Sequence, residues 1–372
     1  MVTRPLSGTD VFVAGGGPAG LVAAIAARRK GLRVVVADGA HPPIDKACGE
    51  GLLPDGVAAL NQLDIAIDPA ESFPFRGLRF LEPPASAEAC FPAGRGLGVR
   101  RTTLHSALAE EAARSGVHLL WGTPVTGLCP EGIRLGARTM SCRWIVGADG
   151  ENSRVRGWAG LDTAAPSRRR FGFRRHYRLA PWTDFVEVYW GDDFQVYVTP
   201  VGAGEVCVAA VSDSAHCRLD DALARVPELA VRLRGAPAAN AERGAVSASR
   251  RLDAVYRGRL ALVGDASGSV DAITGDGLCL AFRQALALAD ALASGDLAPY
   301  AAEHRRLARR AGIIGALLLS IGGRRRLRKR ALRTLASHVD LFTRLLGTHA
   351  AAVSTADFAA AGMALGWRML AA

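Results

Sequence analysis

Residues 11–20, Val-Phe-Val-Ala-Gly-Gly-Gly-Pro-Ala-Gly, constrain this chain more than any other stretch. An apolar run over 11–14 meets Gly15, Gly17 and Gly20 in the spacing G-x-G-x-x-G, and a helical pattern follows at once. A second apolar run, 33–37, ends at Asp38. Each part has a physical job. Gly15 permits the tight turn off the strand, Gly17 lets a pyrophosphate approach the backbone, and Gly20 lets the helix pack close to the sheet. Pro18 and Ala19 complete the turn into the helix. The helix N-terminus offers free N–H groups and a positive dipole end to phosphate. Asp38 lies about twenty residues on, as expected of a carboxylate that hydrogen-bonds ribose hydroxyls. The pattern predicts a βαβ unit that binds a dinucleotide, and by itself leaves NAD and FAD both open.

The chain of 372 residues is 49% apolar, ample for a sizeable core in two or so domains or one large composite one. Its seven cysteines, at 48, 90, 129, 142, 207, 217 and 279, are scattered. There is no C-x-x-C pair and the histidines complete no zinc set, so no metal site is expected. An odd, scattered set fits a reducing, cytoplasmic compartment. The polar start MVTRPLSGTD runs straight into the first strand, so no signal peptide is expected. No apolar run is read as reaching the roughly eighteen residues of a membrane span. The net charge is +11, with arginines clustered at 168–170, 305–310 and 324–330. Such clusters can attract nucleic acid, acidic lipid or a phosphorylated substrate. The preferred reading is solvated helix faces, with no nucleic-acid partner.

After the first unit comes a Gly- and Pro-rich loop carrying Lys46, Cys48, Gly49, Glu50 and Gly51, then a helix from Gly56 to Leu63. Residues 73–92 alternate as short antiparallel strands. A strand from Leu97 ends at Arg101, and a helix follows with Thr102 or Thr103 as N-cap. Short strand-like pieces lead to a buried strand, Trp144 onward, that runs into Asp149-Gly150. Three alternating runs at 185–190, 195–200 and 205–211 predict an antiparallel sheet with one covered face. Residues 220–234 read as a helical insertion. Parallel-sheet character returns at 259–263, followed by a long helix from Leu278 and a helical tail, 298–372.

Three blocks in fixed order carry a resemblance: GGGPAG at 15–20 with Asp38, IVGADGENSRVR at 145–156, and ALVGDASGSVDAITGDG at 261–277. As a set, over about 8–295, they are similar to the flavoprotein monooxygenases of the p-hydroxybenzoate hydroxylase type and to the geranylgeranyl reductases, which share one fold. KACGEGLLP, at 46–54, looks most like the geranylgeranyl-reductase branch. The resemblance implies an α/β chain with a discontinuous Rossmann-like FAD-binding domain (1–72, 97–164 and 251–297). It also implies an inserted antiparallel β-sheet substrate domain (73–96 and 165–250) and a helical C-terminal section, 298–372.

The resident cofactor implied is FAD. Gly15, Gly17, Pro18, Ala19 and Gly20 would hold its pyrophosphate and Asp38 its adenosine ribose. Lys46 belongs to the loop beside the flavin. Arg101 matches the family's basic residue near the phosphates and ribitol, and Val125 its adenine-contacting backbone. Asp149 and Gly150 match the motif tied to NAD(P)H use. Gly264 and Asp265 would meet the ribitol or pyrophosphate. Gly275, Gly277 and Leu278, at a helix start, would aim N–H groups at the flavin N1/O2 edge, where reduced flavin carries negative charge. The chain departs from the hydroxylases at Gly268, where they carry His, at Ala272, where they carry Pro, and at Asp276, where they carry Gln. The Trp-x-Trp-x-Ile-Pro signature of flavin halogenases is absent.

Cys48 is the candidate catalytic residue, as a group lining the reaction site or relaying a proton; free Cys is otherwise a small packing residue. Glu50, His176, Tyr189 and Tyr197 are candidates for the substrate cavity. Strand alternation faces Tyr189 and Trp190 oppositely, so both cannot point at a substrate. The apolar stretch 311–323, followed by Arg-Arg-Arg-Leu-Arg-Lys-Arg, is too short to span a bilayer but suits peripheral membrane association through 311–330. The leading expectation is an NAD(P)H-dependent monooxygenase of a small hydrophobic, aromatic or polyketide-like molecule from secondary metabolism. The alternative is a geranylgeranyl-reductase-like enzyme acting on a C=C bond of a lipophilic isoprenoid. A third reading, a non-catalytic lipid escort, predicts no bound flavin.

Overall fold

The computed structural model describes residues 8–163, 165, 167–350 and 355–371. Its centre is a sheet whose inner strands are apolar and buried. Leu260–Leu262, Arg138–Gly147, Thr9–Ala14, Val34–Ala37 and His118–Leu120 lie side by side and parallel, with Tyr256–Arg257 antiparallel at one edge. Valines 11, 13, 34, 35 and 36 are all buried, as a sheet covered on both faces requires. Thr9–Ala14 pairs with Val34–Ala37 on one side and with Arg138–Gly147 on the other. The strand order therefore reverses there, and a crevice opens at the strand ends beside Gly15 and Ala148.

The helix Pro18–Arg29 is buried from Leu21 through Ala27 and packs against the helix Gly277–Ser294. That second helix corrects the sequence reading of apolar runs. Its length and mean hydropathy of 1.2 suffice for a membrane span, but 56% of it is buried inside the fold. It is amphipathic core, with Cys279, Phe282, Ala285 and Leu288 inward.

A second sheet of seven strands draws on both 77–90 and 168–249, in the order Arg243–Ser249, Arg168–Tyr177, Glu205–Ser212, Phe194–Gly202, Phe185–Trp190, Gly77–Glu82, Ala85–Cys90. It is antiparallel except where Phe185–Trp190 meets Gly77–Glu82 in parallel. The expected helix over 220–234 is broken into Leu219–Ala224 and Pro227–Arg232. Pro227 disfavours the helical conformation at Val226 and starts a new helix in its place. The two pieces cover one face of the sheet.

The third long helix of the first domain starts at Arg101, with Arg100 as N-cap, not at Thr102 or Thr103. The reason is tertiary: Glu50 Oε1 accepts from the Arg101 backbone N–H at 3.0 Å, so the cap arrives from a distant loop. The C-terminal helices Ala298–Gly322, Arg325–Ser337, Val339–Leu346 and Thr355–Ala371 close over the sheet edge. Arg328, 2% exposed, fixes them there. Its guanidinium donates to both Glu82 carboxylate oxygens at 2.8 and 3.0 Å, to Asp192 at 2.8 Å and to the Gly322 carbonyl at 2.6 Å.

Candidate active site

A cavity of about 700 Å³ runs from the glycine turn, across the inward face of the second sheet, to the C-terminal helices. Its first part tests whether a dinucleotide fits. Gly17 has nothing within 4 Å of where a Cβ would stand, so the backbone there is open to a ligand. Gly15, at φ +114°, and Gly20 are closed instead. A Cβ on Gly15 would meet the Ala148 carbonyl, and one on Gly20 would meet the Gly15 carbonyl oxygen. Arg101 lines the cavity, and its buried Nε has no hydrogen-bond partner among the described residues. Open backbone at a helix N-terminus beside an orphaned guanidinium suits a pyrophosphate. The residues present fit the expected FAD.

Gly15, Gly17, Pro18, Ala19, Asp38, Lys46, Arg101, Val125, Asp149, Gly150, Gly264, Asp265, Gly275, Gly277 and Leu278 all line this cavity. Gly20 does not; it packs beneath the turn. Asp38 accepts from Gly16 N at 2.7 Å and from Ala40 N at 2.8 Å, so it braces the turn that it flanks. Each carboxylate oxygen keeps a further lone pair for a hydroxyl. Lys46 Nζ pairs with Asp265 at 3.0 Å, joining the loop to the third block. Asp149 is engaged by its own chain. Its carboxylate accepts from Ser153 Oγ, Arg154 N and Val155 N, capping the helix Arg154–Trp158. Gly275 and Gly277 leave open space at the start of Gly277–Ser294, whose first N–H groups have no intrahelical acceptor.

Of the substrate-side candidates, Cys48, Glu50 and Tyr197 line the cavity, whereas His176 and Tyr189 do not. Tyr189 lies on the opposite face of its strand, where its hydroxyl donates to Glu187 at 2.9 Å. Alternation gives the cavity to Val186, Val188 and Trp190. His176 is covered by the loop that carries Glu50, and is 1% exposed. Its Nε2 meets Glu50 Oε2 at 2.5 Å, and its Nδ1 faces Arg174 Nη1 at 3.0 Å and Asn240 Nδ2 at 2.5 Å. Asn240 Oδ1 accepts from the His176 backbone N–H, which fixes the amide orientation. Both groups at Nδ1 are thus donors, so the ring hydrogen sits on Nε2 and is donated to Glu50. Glu50, at φ +59°, thereby holds the Cys48 loop against the sheet.

Cys48 Sγ accepts from Glu50 N at 3.4 Å. Burial pushes its thiol up, against the pull of the Arg101 charge, so sulfur holds its proton at neutral pH. Burial likewise pushes the Tyr197 hydroxyl up, and that hydroxyl donates to the Ile273 carbonyl at 2.9 Å.

Several wall residues escaped the sequence reading. Arg170 belongs to an arginine cluster whose sequence suggests a solvated face, yet alternation turns its side chain inward, 3% exposed, while Arg169 stays out. Asp271 also faces the cavity; of the two aromatic residues that alternation sets on opposite faces, Trp190 is the one that lines it, and its indole N–H is buried without a partner among the described residues. Beyond Trp190 the wall is apolar apart from the ion-paired Arg328, built from Ile314, Leu318, Leu332, Leu335, Phe342 and Leu365 of the C-terminal helices with Phe80. Two groups of metal-ligating type also occur, Glu50–His176–Cys207 and Asp55–Asp276–Cys279, their ligand atoms within 4.8 Å of one another. Each carries an arginine at its side. Arg174 Nε lies 3.7 Å from Glu50, and Arg283 donates to Asp55 at 3.1 Å, while Asp55 Oδ1 and Asp276 Oδ1 are buried without hydrogen-bond partners among the described residues.

Comparison with known proteins agrees with this geometry. Residues 8–296 match the family model described as the FAD binding domain. Menaquinone reductase of Mycobacterium tuberculosis is 29% identical over 334 residues, 78% of each chain. Digeranylgeranylglycerophospholipid reductase of Thermoplasma acidophilum is 28% identical over 323 residues, 78% of this chain and 80% of the relative. Among solved structures, a geranylgeranyl bacteriochlorophyll reductase-like protein from Thermoplasma acidophilum superposes with TM-score 0.73, 23% identity and 95% of each chain covered. A flavin-dependent brominase gives TM-score 0.79 at 19% identity, covering 97% of this chain and 98% of its own. At such identities the two structures establish the fold alone.

Proposed function

The chain belongs to the FAD binding domain family and is an FAD-dependent oxidoreductase; on that premise we propose that it reduces a C=C bond in a lipophilic isoprenoid substrate. The observation that carries the reading is the apolar arm of the cavity. It leads away from Gly275–Leu278 between Phe80 and the C-terminal helices, and it suits a long hydrocarbon tail better than a compact aromatic ring. The relatives that match over most of the chain are named as reductases. The monooxygenase reading leaned on the Asp149-Gly150 block, and here Asp149 caps a helix, a structural task that carries no information about oxygen chemistry.

FAD, when bound, supplies hydride transfer, with NAD(P)H as the electron source. Gly15, Gly17 and the helix beginning at Pro18 bind its pyrophosphate, with Arg101 as counter-charge. The N-terminus of Gly277–Ser294 holds negative charge at the reacting end. Saturating a C=C bond requires one hydride and one proton, and we assign the proton to Cys48 Sγ. Its surroundings keep the thiol protonated, and Arg101 offsets the charge left on sulfur until water returns a proton. The apolar arm excludes water from the tail. Access from a membrane surface is supported by the exposed Ile313, Met363 and Trp367 and by the exposed Arg324, Arg325 and Arg326.

The test is turnover without oxygen. FAD-loaded protein, NADPH or NADH and a prenylated substrate should yield a product with two added hydrogens under anaerobic conditions. A product that appears only in air and carries one added oxygen atom would return the assignment to the monooxygenase.

A further inference from the structure

We propose that the reacting end of this cavity recognises a hydroxyl head group through Arg170 and Asp271, so that the substrate is a prenyl alcohol or a prenylated hydroquinone. The inference rests on the isoprenoid reading above. It begins from two buried groups that face each other, each with one atom, Arg170 Nε and Asp271 Oδ2, lacking a hydrogen bond among the described residues. Arg170 Nη2 donates to Gln195 Oε1 at 2.6 Å and reaches the Val211 carbonyl at 3.4 Å. Its Nε lies 3.2 Å from Asp213 Oδ1 without hydrogen-bond geometry, and its Nη1 stands 3.7 Å from Asp271 Oδ1. Asp271 approaches from the opposite wall. Its Oδ1 accepts from Ile273 N at 3.0 Å, while its buried Oδ2 has no hydrogen-bond partner among the described residues. The Arg168 Nε stands 3.9 Å from that oxygen. Both side chains are 3% exposed, and both line the cavity with Tyr197.

A buried donor and a buried acceptor left apart are costly, and a ligand that satisfies both gains accordingly. The chemistry narrows the choice. A bare carbonyl or ether oxygen accepts from Arg170 but leaves Asp271 without a donor. A phosphate brings negative charge against the Asp271 carboxylate. A hydroxyl does both jobs: it accepts from the guanidinium and donates to the carboxylate. The position agrees: Asp271 and Ile273 lead directly into Gly275–Leu278, and Ile273 itself packs with Trp190, Phe80 and Leu318, where the apolar arm begins. A head anchored here sends its tail toward the C-terminal helices.

Two probe pairs test this on FAD-loaded, full-length protein, with binding read from the flavin absorbance. One pair is a C20 all-trans prenyl alcohol and its methyl ether; the other is a prenylated hydroquinone and its dimethyl ether. In at least one pair the free hydroxyl ligand should bind about ten-fold or more tighter, since a site built around a hydroxyl rejects the analogue lacking it. The pair that shows the preference identifies the head. Arg170→Gln and Asp271→Asn should each bring that ratio near one with flavin content unchanged; Asn keeps an oxygen for the Ile273 N–H. Equal binding of both members in both pairs overturns the head-group inference and leaves the isoprenoid reading standing. Failure of all four probes to bind overturns both. A ratio that survives in both variants, or flavin lost from either, also overturns it. The wild-type comparison needs no variant, so a variant that misfolds does not shield the proposal.

Discussion

Glu50 Oε2 and His176 Nε2 lie 2.5 Å apart, although 126 positions separate them in sequence. The contact joins the loop that carries Cys48 to the second sheet, and the same carboxylate supplies the cap for the helix that begins at Arg101. One side chain therefore ties the Cys48 loop, the helix that begins at Arg101 and the second sheet together. Glu50→Ala strands the His176 Nε2–H and the Arg101 N–H in a buried place. Each such loss costs about 1–3 kcal/mol. Denaturant unfolding should show a loss in that range or above, with lower flavin retention, because the loop lines the cofactor cavity. Unchanged stability and flavin content would mean that the loop is held by other contacts.

Cys48 should matter for one half-reaction and not the other. Cys48→Ala removes the proton assigned to the substrate carbon, and proton transfer by a positioned group is worth about 10²–10⁴-fold. Steady-state reduction of a prenylated substrate should fall by at least the lower figure. The rate at which NAD(P)H bleaches the flavin, measured by stopped flow without substrate, should stay within about two-fold, since that step needs no proton from the sulfur. Equal loss in both half-reactions would point to a packing role for the residue.

Arg328 makes a stability prediction at the far end of the cavity. It is buried and bonded to Glu82, Asp192 and the Gly322 carbonyl, so it couples the C-terminal helices to the sheet edge. Arg328→Met leaves Glu82, 7% exposed, without its hydrogen-bonded partner and with only Arg325 at 3.9 Å. Breaking one side of a buried pair costs about 3–5 kcal/mol. The expected result is a lower unfolding midpoint together with faster proteolysis within 298–371. Adding Glu82→Gln to Arg328→Met should recover part of the loss, because the uncompensated charge goes with it.

Local pattern in the sequence carried the cofactor side and failed at long-range contacts. Gly15, Gly17 and Asp38 are legible because their roles depend on neighbours within one βαβ unit. Period-two alternation correctly forbids Tyr189 and Trp190 from sharing a face, yet nothing local says which face is inward; the covering helices Leu219–Ala224 and Pro227–Arg232 decide that, and they take Tyr189. Arg170 reads as one of three surface arginines until the sheet brings Gln195, two strands away, within its reach. The cap at Arg101 was placed wrongly for the same reason, since its acceptor lies in another segment.

His304 predicts an acid limb of stability. It is buried, Nε2 lies 2.8 Å from Ser267 Oγ, and burial pulls the imidazole down to about 4. The sign follows from that direction. The unfolded chain takes up the proton near pH 6.5, the folded protein only near 4, so the contribution is complete above about 6.5 and is lost as pH falls toward 4. The span of roughly two and a half pKa units corresponds to about 3 kcal/mol at its fullest. Urea unfolding at pH 7 and pH 4.5 should show this loss on top of that from other groups, and His304→Gln should flatten the difference by a comparable amount. An unchanged pH dependence in the variant would assign the acid limb elsewhere.

The two glycines at the helix entrance should separate binding from folding. At Gly17 the backbone is in an ordinary extended conformation, φ −70°, and a Cβ would meet nothing within 4 Å. A side chain there disturbs no protein atom but stands where the pyrophosphate must approach. Gly17→Val should therefore leave the unfolding free energy of flavin-free protein within about 0.5 kcal/mol of wild type, while flavin binding falls by an order of magnitude or more. At Gly20 the geometry is the reverse: a Cβ would press on the Gly15 carbonyl oxygen and lie 3.1 Å from the Ala148 Cβ, so the helix must move away from the turn. Gly20→Val should lower the stability of the flavin-free protein by about 1–3 kcal/mol, as overpacking does, and lose flavin as a consequence. Circular dichroism melts of the flavin-stripped variants, paired with titration by FAD, read the two effects separately. If Gly17→Val destabilises the stripped protein as much as Gly20→Val does, the turn is a packing element and its open face is not the phosphate site.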